Sequence, residues 1–148
     1  MTIKLHCFGE SGNAYKAALT MTLAGVEWEP VFVDFFNGAS RTPEFRALNI
    51  MGEVPVMVDG DLVISQSAVI QDYITSKTSK LGGKSADQRR EVLRWMFFDN
   101  HKISGVAGTL RFNTNFLPEE KRSKEVNDFL LMRLKSALKI METHLENR

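Results

Sequence analysis

Asn49-Ile50-Met51-Gly52-Glu53-Val54-Pro55-Val56-Met57-Val58-Asp59-Gly60, running on through Leu62-Val63-Ile64 to Ser65-Gln66-Ser67, orders the rest of the chain. Val54 to Val58 and Leu62 to Ile64 are short β-forming runs on either side of Asp59-Gly60, and that dipeptide supplies the positive φ values a two-residue hairpin turn requires. Pro55 cannot donate to a sheet, so it belongs at the first residue of a strand or on an edge. Ser65-Gln66-Ser67 then opens a helix whose buried face is Ile70, Tyr73 and Ile74. An antiparallel pair followed by a helix is the expectation for residues 54–78.

Upstream, Ile3 to Phe8 reads as a strand and Gly9-Glu10-Ser11-Gly12 as a turn ending in a helix cap. Ala14, Ala17, Ala18, Met21 and Ala24 recur at helical spacing, and Gly25 is placed to end that helix in a left-handed conformation. Val31 to Phe35 is the second expected strand, paired in parallel with the first because a helix connects them. Thr42-Pro43-Glu44 starts a short helix ending near Asn49, with Thr as cap and Pro at the first helical position. The order is βαβ, α, ββ, α.

Downstream, Ser76 to Ser85 has the Gly and Ser punctuation of a connector. The charge changes sign across it: residues 1–80 carry six basic and nine acidic groups, net −3, and residues 81–148 carry thirteen and nine, net +4. Strand signals then vanish. Val92, Met96, Ile103, Ala107 and Leu110 mark one long helix toward Phe116, with Gly105 and Gly108 as points of interruption. After Leu117-Pro118-Glu119 a second helix carries Val126, Leu130, Leu134, Leu138, Met141 and Leu145 on its expected apolar stripe. The expected domains are 1–78, α/β, and 86–148, all-α.

Composition narrows the function classes. The chain has 148 residues, 43% hydrophobic and 25% charged, with a formal net charge of +1. That charge is too small to draw nucleic acid or an anionic membrane surface, and no segment reaches the ~18 apolar residues of a membrane span. Cys7 is the only cysteine, so an internal disulfide and a CxxC pair are excluded. His6, His101 and His144 lack metal-ligand spacing, and no metal is expected. Lys4 and His6 interrupt the N-terminal stretch where a signal peptide needs a continuous apolar run, and a cytoplasmic location is expected.

Asn49 to Val56, with Gln66-Ser67-Ala68-Val69-Ile70 about ten residues later, resembles the glutathione transferase superfamily, and Ser11-Gly12-Asn13-Ala14-Tyr15-Lys16 resembles the helix start of its bacterial cytosolic, serine-type members. The resemblance implies a thioredoxin-like βαβ-α-ββα domain followed by a helical domain. It implies a cis bond before Pro55, with Val54 presenting its backbone to the cysteinyl unit of glutathione like an added strand. It places Glu53, Val54, Pro55, Gln66 and Ser67 at the glutathione site, with Arg41 near the glycine carboxylate. Ser67 stands at a helix N-terminus, where free N–H groups and the helix dipole favour an anion; the resemblance makes that anion the γ-glutamyl carboxylate. Catalysis falls to Ser11, with Asn13 as runner-up.

The work asked of Ser11 can be sized. A free thiol of pKa ~8.5 is only a few per cent ionised at neutral pH, and lowering it by about two units needs roughly 2.7 kcal/mol. One hydrogen bond to a charged sulfur supplies about 1.5 to 3 kcal/mol, and a helix N-terminus about 0.3 to 1. No general base is required. The implied function is conjugation of glutathione, the co-substrate, to an apolar electrophile in detoxification, by a homodimer. The rivals are a non-catalytic protein-binding relative and a glutathione-dependent thiol reductase, for which Cys7 is the sole candidate nucleophile. The resemblance also implies further helices after Arg148, so the chain is expected to stop partway through the helical domain, leaving part of the 126–145 stripe without its cover.

Overall fold

The computed structural model describes residues 2–146. Its first compact unit ends at Val92 and its second begins at Leu93. In the first, β1 (Ile3–Cys7), α1 (Gly12–Ala24), β2 (Trp28–Phe32), α2 (Pro43–Leu48), β3 (Val56–Asp59), β4 (Leu62–Ser65) and α3 (Ser67–Thr78) follow the expected βαβ, α, ββ, α order. The sheet order is β2-β1-β3-β4, with β1 parallel to β2 and antiparallel to β3. Ile3, Leu5 and Met57 of the sheet pack with Ala17, Met21 and Ala24 of α1 and Ile70 and Ile74 of α3 to form the core. A smaller cluster of Val33, Phe45 and Val56 lies under α2.

The local signals of α1 and α2 act as expected. Ser11 caps α1, accepting from the Ala14 N–H at 3.2 Å, and Gly25 ends it at φ +73°. Thr42 caps α2, accepting from the Phe45 N–H at 3.3 Å, with Pro43 in the first turn.

Several strand boundaries differ from the reading of the sequence: β2 lies three residues earlier at both ends, and β3 runs from Val56 to Asp59 rather than from Val54 to Val58. β2 begins three residues before Val31 and contains Pro30, opposite Leu5 of β1. The sheet tolerates it because β2 is an edge strand and needs hydrogen bonds on one side only. In the hairpin, Asp59 pairs with Leu62, so the loop is Gly60-Asp61, with Gly60 at φ +62°. Asp59 ends β3 through its backbone pairing with Leu62, and its carboxylate accepts from the Tyr73 hydroxyl at 2.7 Å and pairs with Lys77, tying the hairpin to α3.

The connector is packed against its own unit. Lys80 donates its Nζ to the carbonyl of Ala24 at 2.7 Å, at the end of α1. Ser85 and Gln88 cap the next helix reciprocally: Gln88 N–H donates to Ser85 Oγ at 3.2 Å, and Gln88 Oε1 accepts from the backbone of Lys84 and Ser85 at 2.7 and 3.3 Å. Arg89 then pairs with Asp72 of α3 at 2.7 Å.

The expected long helix is α4 (Ala86–Phe98) and α5 (Gly105–Asn115), joined by a π-helical segment, Asp99–Ser104. Ser104 Oγ donates to both oxygens of Asp99, at 2.8 and 2.9 Å. Gly105 is the glycine that matters here, since a Cβ at that position would stand 3.2 Å from the carbonyl oxygen of Asn100, whereas one at Gly108 would meet nothing.

In the last helix, α6 (Lys124–Leu145), the inner face is Asn127, Leu130, Leu134, Ala137, Met141 and His144, and the ring of His144 lies 4.3 Å from that of Trp95. Val126, Leu138 and Leu145, expected inside, are 47%, 41% and 55% exposed. Four-residue steps drift by about 40° each around a helix of 3.6 residues per turn, so of that stripe Leu130, Leu134 and Met141 stay on the inner face.

Candidate functional site

A shallow pocket on the first unit is lined by Asn13, Asn49, Glu53, Val54, Pro55, Gln66 and Ser67. It gathers five of the six residues expected at the glutathione site together with Asn13, the second choice for catalysis. Three elements make it: the first turn of α1, the segment leading into β3, and the start of α3.

The segment before β3 is held by a residue that heads the quoted motif but to which the sequence assigns no role of its own. Asn49 is 5% exposed; its Nδ2 donates to the carbonyl of Glu53 at 2.8 Å and its Oδ1 accepts the N–H of Met51 at 3.2 Å. The signal was a polar residue set between Leu48 and Ile50 directly after a helix. Gly52 turns the chain at φ +65°, packed so closely that a Cβ would stand 3.0 Å from the Ser40 carbonyl oxygen. The Val54–Pro55 bond is cis and Pro55 is buried. Val54 precedes β3, and among the described residues no hydrogen bond engages its backbone. Its main chain is open to an extended partner.

α3 begins differently from α1 and α2. Its cap residue, Gln66, has φ +69° and makes no side-chain capping bond. The first N–H with a helical partner is that of Ile70, to Gln66 O at 3.0 Å. The N–H groups of Ser67, Ala68 and Val69 are thus left for a ligand or for water. A left-handed non-glycine residue is an unfavourable conformation that a functional site can impose. Ser67, 5% exposed, donates its hydroxyl to Asn13 Oδ1 at 3.4 Å, linking α3 to α1. The Gln66 amide donates to Met51 Sδ at 3.0 Å and to Glu53 Oε2 at 3.5 Å. The pocket therefore offers an unpaired stretch of main chain, a helix N-terminus with free donors, and a carboxylate beside an amide: the two ends of a small zwitterionic peptide can each find a partner.

Ser11 and Arg41 are not among the pocket's lining residues. Ser11 sits two positions ahead of Asn13 as the α1 cap, and Arg41 is exposed in a 3-10 turn at Ala39–Arg41. Cys7, at the end of β1, is half-buried, and burial pushes its thiol up. Burial, with Lys4 nearby, lowers His6 below its ordinary value. No group of metal-ligating side chains occurs among the described residues. An aromatic trio was also missed from the sequence: Phe8 stacks on Phe35 at 4.6 Å, and Phe36 meets both rings edge-on at 5.6 Å. Phe8 follows β1, three residues before Ser11 in the chain, and Phe35 and Phe36 follow β2. The signal was the Phe35-Phe36 pair after a strand.

A four-stranded mixed sheet with a cis proline opposite an uncapped helix, followed by a helical region, is the thioredoxin-like arrangement of glutathione transferases. Residues 1–76 match the family model described as the glutathione S-transferase N-terminal domain, and the chain belongs to that family. It is 32% identical over 128 residues to glutathione S-transferase F10 of Arabidopsis thaliana, an alignment covering 80% of this chain and 60% of that protein. It is 30% identical over 149 residues to elongation factor 1-gamma 1 of Oryza sativa subsp. japonica, covering 98% of this chain and 35% of that one. Among solved structures, a glutathione transferase from Burkholderia graminis with two glutathione molecules bound per subunit is similar at a TM-score of 0.90 and 27% identity, over 99% of this chain and 63% of that one. The chain thus spans about 60% of the length of such transferase relatives.

Proposed function

We propose that the chain binds glutathione and promotes attack of its thiolate on an apolar electrophile, as the first part of a cytoplasmic, homodimeric glutathione transferase with a detoxifying role. The observation that carries this reading is the pocket where the open backbone of Val54 meets the uncapped start of α3. In it the Val54 main chain pairs with the cysteinyl unit, and the Ser67 hydroxyl and the N–H groups behind it hold the γ-glutamyl carboxylate. The Glu53 carboxylate and the Gln66 amide oxygen accept from the ammonium end. Ser11 donates a hydrogen bond to the sulfur, Asn13 being the alternative, and Arg41 is the candidate for the glycine carboxylate from outside the pocket. The aromatic trio beside the β1–α1 turn supplies apolar surface for the electrophile. The two domains proposed are 1–78 and 86–148.

The test is calorimetric titration of the 148-residue protein with glutathione. Ser67→Ala should weaken binding by about tenfold, the loss of one hydrogen bond to a charged group. A folded protein that does not bind glutathione, or one indifferent to Ser67, would reject the reading. A binding module without turnover has support from the likeness to rice elongation factor 1-gamma 1, which is not named a transferase and aligns over nearly the whole chain; glutathione binding without conjugation of any model electrophile would favour it. The thiol reductase reading is weakened by Cys7, whose raised pKa leaves little thiolate at neutral pH.

A further inference from the structure

We propose that Met51 is an oxidative modification site, and that its sulfoxide draws the Gln66 amide away from the glutathione pocket. The proposal rests on the glutathione-binding reading given above. Met51 is 56% exposed, and its sulfur accepts a hydrogen bond from Gln66 Nε2 at 3.0 Å. Gln66 lines the pocket, whereas Met51 does not. One side chain accessible to small oxidants is therefore in direct polar contact with one that faces the ligand.

The step is balanced with a hydroperoxide as oxidant. A sulfur lone pair attacks the terminal oxygen of hydrogen peroxide, the O–O bond breaks, an S–O bond forms, and water leaves after proton transfer. Sulfur loses two electrons and peroxide gains them. A thioether is a weak acceptor, while a sulfoxide oxygen is a strong one and makes the side chain polar. The Gln66 amide follows the new oxygen. The backbone around Met51 cannot readily move to compensate, because Asn49 fixes both its N–H and the Glu53 carbonyl, and Gly52 is packed against Ser40. The change falls on the side chains, and the amide is what the pocket loses.

The experiment treats the full 148-residue protein with hydrogen peroxide, then with dithiothreitol, which reverses oxidation of Cys7 to a sulfenate or disulfide but leaves methionine sulfoxide. Peptide mass mapping follows Met51, with Met132, 61% exposed, as reference. Oxidation should weaken glutathione binding about fivefold, the scale of one net hydrogen bond. Methionine sulfoxide reductases should restore it, and the Gln66 side-chain amide resonances should shift. Met51→Leu should abolish peroxide sensitivity and Met132→Leu should leave it intact. Glutathione affinity that survives complete Met51 oxidation, or Gln66 resonances that stay in place, would overturn the switch alone. Absence of glutathione binding by the untreated protein would instead sink the functional reading on which it stands.

Discussion

The Ser11 hydroxyl accepts the Ala14 N–H through one lone pair, and among the described residues its own proton has no acceptor. Capping the helix and donating to a sulfur are therefore compatible in one side chain. They separate on mutation. Ser11→Ala should lower stability by about 1 kcal/mol through loss of the cap, visible in a denaturant midpoint. If Ser11 also holds the thiolate, the pH profile of conjugation should move up by about one to two units, since its hydrogen bond supplies roughly 1.5 to 3 kcal/mol. An unchanged profile with the stability loss would leave Ser11 a cap and pass the role to Asn13, which lines the pocket.

At the scale of elements, the hairpin and α3 are joined by Asp59, Tyr73 and Lys77. The hydrogen bonds from Lys77 and Tyr73 hold the Asp59 carboxyl below its ordinary value of 3.8 and raise both partners. A carboxylate with a depressed folded pKa contributes stability that is fully present above its unfolded pKa and is lost as pH falls through the folded one. Asp59→Asn should thus destabilise by about 1 kcal/mol at pH 7, a figure kept low because Lys77 is solvent-accessible. That corresponds to roughly 4–8 °C in Tm for a unit of this size. Wild type and variant should converge as the pH falls below the ordinary carboxylate value of 3.8; thermal melts from neutral pH into that acid range check this, and curves that stay parallel would refute the pairing.

Other elements show where reading the sequence succeeds. The caps of α1 and α2 and the existence of the hairpin are set by residues within a few positions of one another, so they could be read directly. The extent of β2 could not: whether Pro30 is allowed in a strand depends on that strand being an edge, which only the assembled sheet decides. The π-helical segment has no local signature beyond polar residues at 99–102. The pocket was partly legible because Val54, Pro55, Gln66 and Ser67 lie in two short runs. Asn49 and Met51 act through loop hydrogen bonds that have no spacing rule.

On the whole-molecule scale, α6 presents Val126, Phe129, Met132, Leu138, Ile140 and Leu145 to solvent. The formal charge is only +1 and the isoelectric point about 7.9, so little electrostatic repulsion opposes association near neutral pH. Six exposed apolar side chains on one helix give self-association apolar surface to bury. Sedimentation velocity should show a concentration-dependent coefficient near pH 8, and a polarity-sensitive dye should light up in proportion to the dissociated form. A single concentration-independent species of 16.7 kDa that binds no dye would contradict this.

The anchoring of Lys80 on Ala24 bears on how the chain meets a protease. A Ser- and Gly-rich connector with three lysines looks like an easy trypsin target, yet Lys77 lies in α3 and pairs with Asp59, Lys80 has its ammonium on the end of α1, and the Lys84–Ser85 bond is locked into the cap of α4 by Gln88. A bond must be pulled into an extended shape before it is cut. Limited digestion should therefore spare the stretch that composition alone would have marked as the weakest, and early cleavage after Lys80 or Lys84 would refute the anchoring.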